Sequence, residues 1–347
     1  MGNPSQTPVR FAIAGLNHGH VDWWFRRPVR GDMQLVGIAE PTSELRDKFA
    51  AKYALDRSLL HADLGGMLDA LKPSAVMAFG ATFDHLAVVQ ACAPRGIHVM
   101  VEKPLAVNSV HAAQIAALAS RHHIQVLTNY ETTWYASNHE AYRLVHDEHM
   151  AGAIRKIVVH DGHWGPQEIG CPPEFLAWLT DPVLNGGGVV MDFGCYGANL
   201  MTWLMDGAAP LSVLAVTQQI KPDIYPKVDD EATIVLTYPQ AQGIIQASWN
   251  WPWHRKDMEI YGAAGAVHAV NSTTLRIRDG LNSAERTQTL QPQATPHDDV
   301  FAYLAAVVRG DITPAAGDLS GLQNNLTVMR ILDAARESAR LGRTVTV

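Results

Sequence analysis

Val9-Arg-Phe-Ala-Ile-Ala-Gly15-Leu-Asn17-His18-Gly19-His20 decides the fold. A short apolar run that stops at glycine reads as a buried strand, and a helical segment is expected after the turn. Glycine at this junction lets the chain turn tightly and lets backbone N–H groups approach a pyrophosphate at a helix N-terminus. Measured against G-x-G-x-x-G, Asn17 and His20 replace the second and third glycines. Asn tolerates positive φ, whereas His20 removes the close helix–strand contact that a third glycine permits. Taken alone, the turn reads equally as an ordinary strand–helix connection, so its neighbours decide.

Working outward, Met33–Glu40, Ala75–Phe79, His98–Val101 and Gln125–Thr128 are further apolar runs of strand length. Helical patterns at Thr42–Lys52, Asp63–Ala70, His85–Arg95 and Ser109–Arg121 separate them. Strand and helix in this rhythm imply right-handed crossovers and a doubly wound parallel sheet, a Rossmann domain over residues 1–130. Residues 131–347 read differently. Strand-like segments at Ile154–His160, Leu211–Gln219, Ala232–Tyr238, Gly243–Asn250, Asp257–Tyr261 and Ala266–Val270 follow one another mostly through turns. Helices are expected near Val189–Met205, Asp298–Arg309 and Leu319–Ala339. This predicts a second, α+β domain with a large, open, mainly antiparallel sheet.

Three features carry chemistry. Glu40 closes the second strand, where a carboxylate accepts from a ribose 2′-hydroxyl and repels a 2′-phosphate; this favours NAD over NADP, with Arg46 nearby acting in the opposite sense. Glu102-Lys103-Pro104 closes the fourth strand, at the end of a parallel sheet where ligands bind. Lysine there stabilises an alkoxide as hydride leaves, and beside an oxidised nicotinamide its pKa is expected to fall. Alone, the tripeptide reads as a surface turn. The third feature is the helix that follows Gly186-Gly-Gly188, whose polar residues Asp192, Tyr196 and Asn199 share one face among apolar neighbours. A buried polar stripe needs partners, and a phenol becomes a usable acid/base when an ammonium sits beside it.

On these residues the chain resembles the Gfo/Idh/MocA oxidoreductase family over nearly its whole length. The resemblance also rests on Asp229-Asp-Glu-Ala-Thr233 and Glu259-Ile-Tyr-Gly262. Many members carry His where this chain has Tyr196, and the Tyr form resembles the branch with glucose–fructose oxidoreductase and the dihydrodiol and xylose dehydrogenases. The resemblance implies Lys103 and Tyr196 at the hydride-transfer centre, with Asp192 positioning substrate. It also implies Thr82 and His85 along the cofactor, beside the turn residues Gly15, Asn17, His18, Gly19 and His20 and the strand-end pair Glu102 and Lys103. It points to a homodimer or homotetramer formed through the second sheet.

On the substrate side, His163 and Trp164 lie in a segment expected to rim the pocket, and Asn199 continues the polar stripe. Trp249, Trp251 and Trp253 alternate, so in an extended chain they share a face. Trp249 and Trp251 are assigned to a subunit interface; Trp253, with Arg255, stays open between interface and sugar contact. His160 and His163 point to opposite faces of a strand, and no HExxH-like set stands among the 16 histidines, so no metal is expected.

Composition sets the outer limits. A 347-residue chain with 47% hydrophobic and 18% charged residues has material for two globular domains. Basic residues number 27 against 34 acidic, a net charge of −7 without a basic run, which argues against nucleic acid as a partner. Three scattered cysteines form no CxxC, and no membrane-length apolar stretch or leader is visible. A cytoplasmic location is expected, with export open if a leader was removed upstream. The resulting expectation is an NAD-dependent oxidoreductase acting on a secondary hydroxyl of a sugar, glycoside or polyol. Two alternatives remain: a closed-cycle enzyme that keeps its NAD bound, and a redox-silent regulator that senses NAD or sugar.

Overall fold

The first-strand run forms β1 (Val9–Ala14), followed by β2 (Met33–Ala39), β3 (Leu60–His61), β4 (Ala75–Ala78), β5 (His98–Glu102) and β6 (Val126–Asn129). In this computed structural model, which describes residues 7–27 and 30–347, they make one parallel sheet in the order β3-β2-β1-β4-β5-β6. The order reverses between β1 and β4, which opens a crevice at the carboxyl ends of the strands. The strand interiors are mostly apolar because both faces are covered. Ala12, Val76, Val99 and Val126 face the layer of the helices His85–Cys92 and Ser109–His122. Phe11, Ile13, Met77 and Met100 face the opposite layer, where Phe301 and Leu304 of the helix Val300–Arg309 pack. That helix comes from the far end of the chain and roofs the first sheet.

The second sheet has nine strands: β7 (Ile154–Gly162), β8 (Ser212–Gln218), β9 (Glu231–Thr237), β10 (Gln242–Ser248), β11 (Arg255–Gly262), β12 (Ala266–Ala269), β13 (Thr274–Arg278), β14 (Arg286–Thr289) and β15 (Val345–Thr346). Their order is β14-β13-β12-β11-β7-β10-β9-β8-β15, antiparallel except for the pair β7–β10. Sequence patterning does not mark β3, β13, β14 and β15, which are short or charged. One face is covered by the helices Gly194–Leu204 and Leu322–Leu341, which pack Leu200, Ile331 and Leu332 on Val159, Ile245 and Ile260. The other face is open and carries Leu214, Val235, Ile244 and Val158 in one cross-strand row.

The helix expected at Val189–Met205 breaks at Phe193 into Val189–Asp192 and Gly194–Leu204. Asp229 caps the first piece, accepting from Gly188 N at 3.1 Å and Val190 N at 2.8 Å. A Cβ on Gly197 would lie 2.6 Å from Ile245, so this glycine brings the helix down onto the sheet. The helix Pro173–Leu179, which the sequence pattern does not mark, buries Trp178. Among the described residues, no helix is long and apolar enough to cross a membrane.

Candidate active site

Gly15 turns the chain at the end of β1 with φ +85°, and a Cβ there would stand 2.7 Å from Gly80 N. Only glycine fits both the torsion and the approach. The helical segment after the turn is shorter than expected: a 3-10 turn at Gly19–Val21 and a single helical turn at Asp22–Phe25. A full-length helix dipole is therefore not aimed at the turn. Glu40 is buried, and its two oxygens accept from Leu16 N and Thr42 N, each at 2.9 Å, so the carboxylate braces the glycine turn. It also lines a cavity of about 430 Å³ with Gly15, Asn17, Gly80 and His85. Arg46 donates to the Glu40 and Pro41 carbonyls at 2.5 and 2.9 Å. Thr82 hydrogen-bonds Asn185 Oδ1 at 3.2 Å. Burial pulls the His85 pKa to about 4, so this ring is neutral and presents an unpartnered Nε2.

The turn is tied to the end of β5. His20 Nδ1 lies 3.1 Å from Glu102 Oε2, and Asn129 Nδ2 donates to Glu102 Oε1 at 2.7 Å. Burial alone would raise Glu102, but His20 and His18 outweigh it and hold the carboxyl at about 2. His18 Nδ1 accepts from His20 N, which leaves the proton of a neutral ring on Nε2, 3.9 Å from Glu102. The donor atoms of His18, His20 and Glu102 gather within 4.8 Å, as do those of His160, Asp257 and Glu259. The first set is held by these hydrogen bonds, the second by Arg255, which donates to Asp257. The Trp178 indole closes the turn from above, donating to Asn17 O at 3.2 Å and stacking on His18.

Lys103 is buried and donates to the Asp192 carbonyl at 2.9 Å and to its carboxylate. The other Asp192 oxygen accepts from Trp249 Nε1 at 2.9 Å. Burial would lower Lys103 and raise Asp192, yet the charge of each on the other reverses both shifts. Asp192 therefore holds this lysine as an ammonium. Its Nζ stands over the Tyr196 ring, 5.3 Å from the centroid.

The Tyr196 hydroxyl meets a different lysine. Lys256 Nζ lies 3.4 Å from it and 4.5 Å from the ring centroid, and it pairs with the Glu131 carboxylate. Burial, then Glu131, pushes the phenol well above its usual value, so it is protonated. Lys256, Glu131 and Trp249 are site residues that sequence reasoning missed. A signal for Lys256 was available: it has the parity of Met258 and Ile260, both buried, so the alternation of β11 extends to it.

Other expectations need correction. Arg255 has the opposite parity and sits on the far face of β11 with Asp257 and His160, away from Tyr196. Asn199 is fully buried and donates to Leu319 O at 2.8 Å, joining a structural cluster with Asn324. Trp249 is 0% exposed, which removes it from any interface, because β10 ends at Ser248 and the chain then turns inward. Trp251 is half-buried beside His160 and Arg255. His163 does border the site, edge-on to Phe193, and burial lowers its pKa to about 4. Trp164 and Trp253 are exposed.

Comparison with known proteins agrees with this fold. Residues 9–130 match the oxidoreductase family with an NAD-binding Rossmann fold, and residues 139–268 match the GFO/IDH/MocA C-terminal domain. The chain is 23% identical to D-xylose 1-dehydrogenase [NADP(+)] of Haloarcula marismortui, over 95% of this chain and 92% of that protein. It is 28% identical to trans-1,2-dihydrobenzene-1,2-diol dehydrogenase of Xenopus laevis, over 73% and 74%. The aldose-aldose oxidoreductase of Caulobacter crescentus, crystallised with glycerol, superposes with a TM-score of 0.81 at 22% identity, over 98% of this chain and 100% of that one. The chain belongs to the GFO/IDH/MocA oxidoreductase family.

Proposed function

We propose that the protein oxidises a secondary hydroxyl of a sugar, glycoside or polyol with NAD. The observation that carries this reading is the convergence of Lys103, Asp192 and Tyr196 at the carboxyl end of β5, tied through Glu102 to the glycine turn. The cleft over β1, β2 and β4 fits a dinucleotide, since Gly15, whose Cβ would meet the Gly80 backbone at 2.7 Å, borders a cavity of about 430 Å³ at the strand ends. Gly15, Asn17, Thr82, His85 and Glu40 would hold it, and a bound nicotinamide supplies the hydride acceptor. Two of the three Lys103 N–H bonds are taken by Asp192, which leaves one for the substrate oxygen as it gains charge. Tyr196 Oη takes the hydroxyl proton, and His163 and Trp253 contact the rest of the substrate.

Glu40, whose carboxylate lines this cleft, supports NAD over NADP. Monitoring NADH absorbance while sugars and polyols are screened tests the assignment. Reduction of NAD by at least one of them is expected; binding without turnover by all of them would favour the sensing alternative. NADH that forms but stays bound would identify the closed-cycle enzyme. Titration with NADP settles the cofactor, and equal affinity would remove Glu40 from that role. The three free cysteines suit a reducing compartment such as the cytoplasm. We further propose a homodimer or homotetramer through the open face of the second sheet, where Leu214 and Val216 are 40% and 61% exposed.

A further inference from the structure

Tyr196 lies between two lysines whose surroundings differ. Lys103 is sealed: its side chain and that of Asp192 are each 7% exposed. A proton handed to that pair has no way onward. Lys256 is equally covered, at 6%, but its partner Glu131 is 32% exposed. Lys256 also borders a cavity of about 410 Å³ whose lining joins Tyr135 and the exposed Trp253 and His254 to Arg255, Asp257 and Glu259 from the far face of β11. Glu131 belongs to the turn Glu131–Trp134, and its second oxygen accepts from the Tyr135 hydroxyl at 2.7 Å.

We infer that Lys256 is the proton exit of the site: its amine takes the Tyr196 proton and passes one, past Glu131, to solvent. The inference rests on the dehydrogenase reading above. For each alcohol oxidised, the C–H electron pair and its hydrogen go to the bound nicotinamide as hydride, and the O–H proton goes to Tyr196 Oη. The Lys256 ammonium first releases a proton past Glu131 to solvent, and the free amine then takes the phenol's own proton. Tyr196 and Lys256 end as they began, and one proton has reached solvent.

Other groups around Lys256 keep it suited to this. From β7, Asp161 faces it in register, buried, with both carboxyl oxygens unpartnered. Burial holds Asp161 protonated well above the carboxylate range, so it adds no fixed charge. From the helix side come Tyr196 and Cys195, the thiol likewise raised by burial and neutral. His254 is lowered, first by burial and then by Lys256, so it too is neutral at pH 7. Glu131 is held at about 2, burial being outweighed by Lys256. Among the described residues it is thus the carboxylate that pairs with Lys256, and it orients the amine without retaining the proton.

The test is the pH dependence of kcat in Lys256→Arg and Lys256→Met, with saturating NAD and a substrate from the screen. Arginine keeps the cation and its pairing with Glu131 but does not give up a proton. If Lys256 conducts the proton, both variants lose about 100-fold in kcat at neutral pH with little change in KM, and kcat recovers as pH rises. Lys256→Arg with wild-type kcat and pH profile would overturn the relay, because the cation alone would then suffice. A rise in KM alone would also overturn it and make Lys256 a substrate-binding group. If the wild type oxidises no sugar or polyol, the dehydrogenase reading fails separately. The relay contact is then read by NMR of 13Cζ-tyrosine-labelled protein, with Tyr196 assigned through Tyr196→Phe. A Tyr196 signal displaced in Lys256→Met supports the contact; one that does not move overturns it.

Discussion

The two sheets bring side chains to Tyr196 in different ways. The parallel sheet is covered on both faces, so its chemistry is confined to strand ends, and Lys103 arrives as the residue after β5. The second sheet has one covered face, and Lys256 and Asp161 stand on it within their strands, in register with each other. A strand-end residue borders a crevice whatever covers the sheet. A residue on a face is buried or exposed according to what packs above it. The helix Gly194–Leu204, which carries Tyr196, is that cover. In the mechanism we propose, this arrangement splits the work at one phenol, with the sealed Lys103 for the substrate oxygen and Lys256 for the proton.

Removing the strand-end lysine breaks this division most severely. Lys103→Met is expected to lower kcat/KM by about 1,000-fold or more, since it deletes the charge that stabilises the oxyanion. It also leaves Asp192 buried and uncompensated, so thermal unfolding should be measured alongside. A loss below about tenfold in a folded variant would move the catalytic cation to the second sheet.

A smaller effect compares the sheets through their neutral histidines. His85, after β4, and His163, after β7, both have pKa values near 4 in the folded chain, below the usual 6.5. Between pH 6.5 and about 4 the unfolded chain binds these protons and the folded chain does not. Stability is therefore fully present above 6.5 and falls as pH drops, by up to about 1.4 kcal/mol per unit for each ring. His85→Gln and His163→Gln should each flatten the slope of urea-unfolding free energy between pH 6.5 and 5. A slope unchanged in one of them shows that its ring is already charged, and that its side of the site is wetter than the geometry implies.

The mildest change concerns the open face. Val216→Glu places a charge at a 61% exposed position, where folding stability should shift by no more than about 0.5 kcal/mol. Light scattering should nevertheless show smaller species than the wild type. A wild-type monomer at micromolar concentration would end the proposal that this face joins subunits.

Much of the molecule is legible in its sequence. The apolar runs and their spacing announce the parallel sheet, and Gly15, Lys103, Asp192 and Tyr196 are identifiable by position, since strand ends and helix stripes are local properties. A strand read as beginning at Asp257 leaves Lys256 outside it, whereas β11 starts at Arg255 and gives Lys256 the parity of Met258 and Ile260. Trp249 is misplaced for a related reason: alternation extended through Trp253 ignores that the strand ends at Ser248. Asn199 follows the helical stripe correctly, but the segment at Leu319 that absorbs it lies 120 residues away.

By itself the sequence determined most of the strands and helices in chain order, the glycine turn, and the candidate residues Lys103, Asp192 and Tyr196, because periodicity and turn chemistry act over a few residues. Which lysine meets the Tyr196 hydroxyl was decided only by tertiary structure. Lys103, Asp192, Tyr196 and Lys256 come from two sheets and a broken helix, and their pairing follows from packing that helix on Ile245 beside the end of β5. Burial then strengthens each charge pair and shifts each pKa, an energy that no local pattern encodes.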